Sequence, residues 1–513
     1  MIPWLTILAA TPLVGAGVLG FAPRKASAKV IALGFSLLTL VISLAMMSQY
    51  ELQGTGYQLE EKHSWIEAFG AWYSLGVNGI GVTLILLTTV LTPIVILAAW
   101  NDKITGRRSY NSYFAWMLAL EGLALGAFVA TDVFLFYVLF EATLIPLYFL
   151  IGGYGGAQRT YAAVKFLIYN LVGGLILLAA VVSLFVISSR QGDPTYLLSE
   201  LTQIEIGTNT ARWLFVAFFV AFAIKAPLWP LHTWLPDATA SGTSATSVLM
   251  VSVVDKIGTF GMIRFCLGLF PEASEWASPV VITLAVISVL YGALLAIGQD
   301  DIRRLIAFTS VSHFGFIVLG IFIFTTPSTV GSTLYMFNHG LSTAALFLVT
   351  GMLIARRGSA KISDFGGVQK VAPILAGIFL VAGLSSLSLP GLAPFVSEFL
   401  VLAGTFSQSI PAATFATLGM ILAALYILIM YQRTMTGPLR EDNAGITDLE
   451  PREIAALTPA LMLIVGLGFF PQPLLNVINP AVDEVVSVVG VGDPSPQTPG
   501  SVGNPDQSEG AHE

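Results

Sequence analysis

The chain has 513 residues, 55% hydrophobic and only 10% charged, with a formal net charge of −7 and a mean hydropathy of +0.82. Soluble domains carry about a quarter of their residues charged, so this composition excludes a soluble globular enzyme and reads as a multispan membrane protein; no nucleic-acid partner is expected. The single cysteine, Cys266, cannot furnish the ligand sets of an iron–sulfur cluster or structural zinc, and neither a Gly-rich nucleotide fingerprint nor CxxCH is present, so no cofactor is expected in this chain.

A membrane-crossing helix needs about 20 apolar residues. Such runs follow one another almost from end to end, and they are continuously apolar rather than alternating, which predicts helices and not barrel strands. Taken in chain order, about fourteen spans are expected, near 2–21, 28–48, 75–99, 111–130, 132–152, 161–188, 212–238, 243–268, 277–299, 305–325, 329–355, 371–405, 411–434 and 453–477. The first lacks a basic leader and is read as a retained helix. Basic residues cluster after odd-numbered spans: Arg24, Lys25 and Lys29; Lys103, Arg107 and Arg108; Arg159; Arg303 and Arg304; Arg356, Arg357, Lys361 and Lys370; Arg433, Arg440 and Arg452. After even-numbered spans stand only Lys62, Arg190 and Arg212. The positive-inside rule therefore puts the odd-numbered connections in the cytoplasm and both termini on the outer side; a multi-pass protein of the cell (inner) membrane is the expected localisation. The end beyond 490, "GDPSPQTPGSVGNPDQSEGAHE", is too polar to fold and is expected to be a disordered tail.

Prolines interrupt the seventh span (Pro227, Pro230) and the twelfth (Pro390, Pro394). Five spans separate these two, and an odd number per repeat forces the second copy to be inverted. The expected fold is thus an all-α polytopic membrane protein with two inverted five-helix repeats, each containing a broken helix. The expected division is helices 1–3 over 1–110, a first repeat over 111–270, a second over 271–435, a loop and last helix over 436–490, and the tail over 491–513. Prolines that merely kink packed helices are the plain alternative.

Ionisable groups in hydrocarbon cost about 2.5–3.5 kcal/mol even on the mild insertion scale, so each needs a reason. In chain order the deep ones are Glu121, Glu141, Lys225, Lys256, His313, His339 and Glu398. Lys165 and Arg264 lie near span ends and can snorkel; Glu121 reads as a structural acid, with Lys165 as its expected partner. His313 and His339 suit a carbonyl-bonded structural role as well as a relay. Glu141 and Lys225 form the leading combination: desolvation disfavours the ammonium, a carboxylate within about 4–6 Å restores it, and moving the partner switches the proton state. The prolines beside Lys225 free backbone groups that water can hydrate, and His232, just past Pro230, is the nearest side chain able to relay near neutral pH. A structural histidine at the break is an equal reading. Asp255 and Lys256 are adjacent, and adjacent helical residues do not face each other. Strung along the chain, these groups suggest a proton relay more than a pocket for an organic solute.

The stretches "LFYVLFEATLIPLYFLIGGYG", "KAPLWPLHTWLPDA", "DIRRLIAFTSVSHFGF", "HGLSTAALFLVTGML" and "SLPGLAPFVSEF" resemble the antiporter-like membrane subunits of respiratory complex I, the proton-pumping NADH:quinone oxidoreductase. The resemblance implies that Glu141 and Lys225 are the paired acid and lysine of a first half-channel and that Lys256 is the central lysine. It further implies that His313 and His339 lie on the polar axis and that Glu398 is the terminal acid. Glu398 points to the subtype, because sister subunits usually carry lysine there. Asp255 departs from the family, where a neutral residue is more usual. The resemblance also implies partners: neighbouring antiporter-like and other membrane subunits, a peripheral redox arm, and the lipid bilayer, with FMN, iron–sulfur clusters and quinone in other subunits. A subunit of a multisubunit Na+(K+)/H+ antiporter is the alternative.

Overall fold

The computed structural model describes residues 2–21, 27–104 and 109–490. The expected tail beyond 490 and the basic residues Arg24, Lys25, Arg107 and Arg108 lie outside the described residues. Among the described residues, twelve helices are long and apolar enough to cross a membrane. Two interrupted paths, Thr208–Lys225 with Leu235–Ser241 and Pro373–Ser386 with Ala393–Gln408, complete the fourteen crossings expected. Polar side chains cap many of the entries: Asn78, Ser109, Asp132, Thr243, Asp301, Thr325 and Ser409 each accept a bond from a first-turn amide, which satisfies donors that hydrocarbon cannot.

Two elements depart from the sequence reading. The apolar run beginning at 75 starts as a strand: β1 (Gln58–Ile66) and β2 (Ala71–Val77) form an antiparallel hairpin, with Glu61 opposite Leu75 and His63 opposite Tyr73. The third span begins only at Gly79. The hairpin is stitched to the bundle, since Leu5 N donates to Glu61 Oε1 at 2.7 Å and Trp72 N to Asp132 Oδ2 at 2.9 Å. The last crossing ends at Phe469, not 477, and a separate helix, Gln472–Val489, follows Pro471. That helix buries Leu474, Val477, Ile478, Ala481 and Val482, the spacing of a one-sided amphipathic helix. It lies across the start of the third span, where a Cβ on Gly79 would sit 1.8 Å from Val477 O.

Hydrocarbon gives helices no hydrophobic reason to associate, so close packing and interhelical hydrogen bonds hold the bundle. The ninth span (Pro271–Ile297) and tenth (Ile302–Phe322) illustrate this. A Cβ at Gly292 would lie 2.7 Å from Ser312 N, and one at Gly315 2.7 Å from Ala285 O. Across the same seam Ser288 Oγ donates to Val311 O at 3.1 Å and Ser312 Oγ to Val289 O at 2.8 Å. The eighth span (Ser244–Leu267) and the tenth are wholly enclosed, the eleventh (Thr326–Arg357) nearly so, whereas the first, second and fourteenth turn most of their surface outward. The enclosed spans are the ones that carry Lys256, His313 and His339.

Candidate functional site

In the seventh span Pro227 has no N–H to continue the helix, and its ring disfavours helical geometry at Ala226. The last regular bond runs from Ala226 N to Phe222 O at 2.7 Å, and the chain then turns until Leu235. One freed carbonyl, Ile224 O, accepts from Trp234 Nε1 at 3.0 Å; protein, rather than the expected water, satisfies this group. Lys225 ends the first half-helix. It is 1% exposed, its Nζ donates to Thr143 Oγ1 at 3.0 Å, and it lies 4.7 Å from the centre of the Phe140 ring.

Glu141 acts on Lys225 electrostatically but makes no hydrogen bond to it; its Oε1 is buried without a partner. The carboxylate occupies space that only glycine leaves open, because a Cβ on Gly174 would lie 2.2 Å from it. Thr143, at the interruption between the helices Val133–Ala142 and Leu144–Tyr154, accepts from Lys225 and donates to Phe140 O at 2.7 Å. Sequence reasoning passed over it because a threonine in a span is usually satisfied by its own helix.

The second half of the arrangement is a row of close buried groups, hydrogen-bonded at its two ends; between them His339 Nε2 and both nitrogens of His313 have no hydrogen-bond partner among the described residues. Lys256 Nζ is 2.7 Å from His339 Nδ1 and donates to Val251 O at 2.8 Å. The His339 ring lies 5.2 Å from His313 and 6.1 Å from Tyr335, and His313 lies 5.8 Å from Tyr335. The Tyr335 hydroxyl donates to Glu398 Oε1. Glu398 lies past the second break, where Asn338 Nδ2 ties the broken helix to the eleventh span through Ala393 O at 2.9 Å and Ser397 Oγ at 2.8 Å. Lys256, His339, His313, Tyr335 and Glu398 thus form one buried line through the most enclosed spans. Tyr335 was not singled out from the sequence, although it stands four residues before His339 and so shares its helix face.

Three expectations fare differently. His232 is buried against Tyr291 and Phe308, with ring centroids 5.3 and 6.2 Å away. Its Nδ1 has no partner among the described residues, and no hydrogen bond links it to Lys225. Glu121 is fully buried beside Thr92, off the line. Its expected partner Lys165 instead pairs with Asp237 at 2.6 Å, and Asp237 also receives Arg304 at 2.5 Å. The half-helix after the first break carries Asp237 back toward the sixth and tenth spans, a meeting that sequence distance does not reveal.

Residues 130–425 match the family model described as NADH:quinone oxidoreductase/Mrp antiporter, TM. Over 99% of this chain and 98% of the relative, the sequence is 50% identical to NADH-quinone oxidoreductase subunit M of Mycobacterium tuberculosis. It is 35% identical to the subunit M of Rhodobacter capsulatus over 94% and 96% of the two chains. A chain of respiratory complex I from Thermus thermophilus superposes with a TM-score of 0.87 at 30% identity, covering 95% of this chain and all of that one. A chain of the Mrp complex from Dietzia sp. has the same fold, with a TM-score of 0.82 at 22% identity over 95% of this chain and all of that one.

Proposed function

The chain belongs to the NADH:quinone oxidoreductase/Mrp antiporter transmembrane family, and from that premise we propose that it is a proton-translocating, M-type membrane subunit of complex I whose protons move along the buried groups described above. The observation that carries this reading is the buried row from Lys256 through His339, His313 and Tyr335 to Glu398, hydrogen-bonded at its two ends with the rings between them 5.2 to 6.1 Å apart, flanked by Lys225 and Glu141 on the other side of the eighth span. Lysine repels cations and carries protons, so a lysine-centred axis favours protons over sodium as cargo. Near-full-length 50% identity to a complex I subunit, against fold likeness alone to the Mrp chain, supports the same choice.

The roles follow from the chemistry of each group. Lys225 holds or releases a proton according to how closely Glu141 and Thr143 approach it. Lys256 receives the proton and passes it to His339, whose imidazole can accept on one nitrogen and donate from the other. Tyr335 conveys it to Glu398, the terminal acid. Moving one charge against 100 mV costs about 2.3 kcal/mol, and quinone reduction elsewhere supplies it through neighbouring subunits. FMN, iron–sulfur clusters and quinone belong to those other subunits. The two halves span 111–270 and 271–435, each with one broken helix. The chain resides in the cell (inner) membrane with both termini outside, as the basic connections direct.

The test is Lys225→Met in intact membranes, with NADH-driven proton uptake recorded beside NADH oxidation and assembly checked on native gels. Methionine keeps the length and removes the charge. Loss of pumping and oxidation together, with assembly intact, is the expected outcome; wild-type levels of both remove Lys225 from the pathway.

A further inference from the structure

The eighth span carries a second ionisable group that the line above does not use. Asp255 is 1% exposed, and neither carboxylate oxygen has a hydrogen-bond partner among the described residues. Its sequence neighbour Lys256 points into the eleventh span at His339. Successive helical residues are about 100° apart, and residues three apart share a face. Asp255 therefore shares its face with Gly258. That glycine is where the eighth span meets the broken seventh: a Cβ there would lie 2.7 Å from Ala226 N and from Phe222 O, backbone atoms that bracket Lys225. Asp255 accordingly faces the Lys225 end of the seventh span, and it acts electrostatically on both lysines.

A carboxylate with no donor deep in a bundle is strongly disfavoured, whereas a carboxyl, or a carboxylate beside an ammonium, is tolerated. Packing alone would be served by an apolar side chain, so the acid needs a chemical reason. Among the described residues, no hydrogen bond joins Lys225, bonded to Thr143, to Lys256, bonded to His339, so the polar contacts are interrupted here, as they also are between His339, His313 and Tyr335. We propose that Asp255 is the proton-carrying group that bridges this interruption, taking the proton from Lys225 and giving it to Lys256. The inference rests on the proton-translocating reading above. The Lys225 ammonium loses a proton to the Asp255 carboxylate, leaving an amine and a carboxylic acid. The acid then gives its proton to the neutral Lys256 amine, which becomes the ammonium and restores the carboxylate. One proton advances and no other bond changes. The local winding suits such a carrier: π-helical turns at Leu249–Val254 and Met262–Leu267 flank the short α-helical piece Asp255–Gly261. π turns are frequent at functional sites, and a small rotation of the piece between them moves Asp255 toward one lysine or the other.

The experiment uses the assembled complex in proteoliposomes and compares wild type, Asp255→Asn, Asp255→Glu and Lys225→Met. Proton uptake is read alongside an infrared difference spectrum of the carboxyl C=O stretch during NADH turnover. Asp255→Asn is expected to assemble, to slow pumping roughly tenfold, and to lose a carboxyl band that wild type shows; Asp255→Glu restores pumping and shifts the band. Wild-type pumping in Asp255→Asn overturns the proposal. So does slowed pumping with a carboxyl spectrum identical to wild type, which marks Asp255 as a fixed counter-charge. Should Asp255→Asn fail to assemble, the glutamate variant decides: a shifted band supports the carrier and an unshifted one overturns it. Lys225→Met separates the two readings, because arrested pumping there with normal pumping in Asp255→Asn removes Asp255 alone, while normal pumping in both removes the relay.

Discussion

Tyr335 stands between the histidine pair and Glu398: its ring lies 5.8 Å from that of His313 and its hydroxyl donates to Glu398 Oε1. Tyr335→Phe keeps the ring packing and deletes only the O–H. Proton uptake should fall about tenfold, equivalent to about 1.4 kcal/mol on the barrier, with native-gel assembly unchanged; an unchanged rate takes Tyr335 off the pathway. Asp132 provides a residue-scale test away from the spans. It lies in the short connection 130–132 and is 0% exposed, and burial pushes its carboxyl up to about 6 from 3.8 despite bonds from the Trp72 and Leu135 amides. A folded-state value above the unfolded one means the folded protein keeps the proton longer. That contribution to stability is complete below about pH 4 and is lost as pH rises through about 6. Relative to Asp132→Asn, wild type should therefore gain up to about 3 kcal/mol between pH 6 and pH 4, read from paired thermal melts of the purified complex.

At the scale of elements, the broken seventh span is held at both of its halves. The first half packs on the eighth span through Gly258. The second half, Leu235–Ser241, is tied by Asp237 to Lys165 of the sixth span and Arg304 of the tenth. Asp237→Asn leaves two cations facing a neutral amide. Because these groups are partly solvated, the cost should be about 1–2 kcal/mol, seen as a lower midpoint for thermal release of the subunit from the complex. No change in midpoint would mean that the tie carries no stability. The hairpin and the helix Gln472–Val489 play a comparable role at the opposite ends of the spans: Glu61 and Asp132 accept main-chain amides, and Val477 lies over Gly79.

At the scale of the whole molecule, the distribution of exposure explains why the line lies where it does. A proton-carrying group must be screened from lipid and bulk water, and the wholly enclosed eighth and tenth spans provide that screen. The proposed orientation is open to direct test because the only cysteine, Cys266, is buried. A membrane-impermeant maleimide should label Gln203→Cys from the outer side of intact cells, and Glu441→Cys only after permeabilisation; both positions are exposed. The opposite pattern would invert the topology.

What the sequence determined by itself follows from the solvent. Hydrocarbon demands about 20 apolar residues per crossing and makes every buried charge costly, so the spans, the two proline breaks, and Glu141, Lys225, Lys256, His313, His339 and Glu398 stood out along the chain. Tertiary structure alone decided which of them meet. Whether Lys256 faces His339 or Asp255, whether Lys165 finds Glu121 or Asp237, and whether Thr143 and Tyr335 join the line depend on helix rotation and on where a broken helix re-enters the bundle. Those are set by close backbone contacts at Gly258 and Gly315 and by the space that Gly174 leaves for the Glu141 carboxylate, between residues far apart in sequence, which no local pattern of apolar and polar residues encodes.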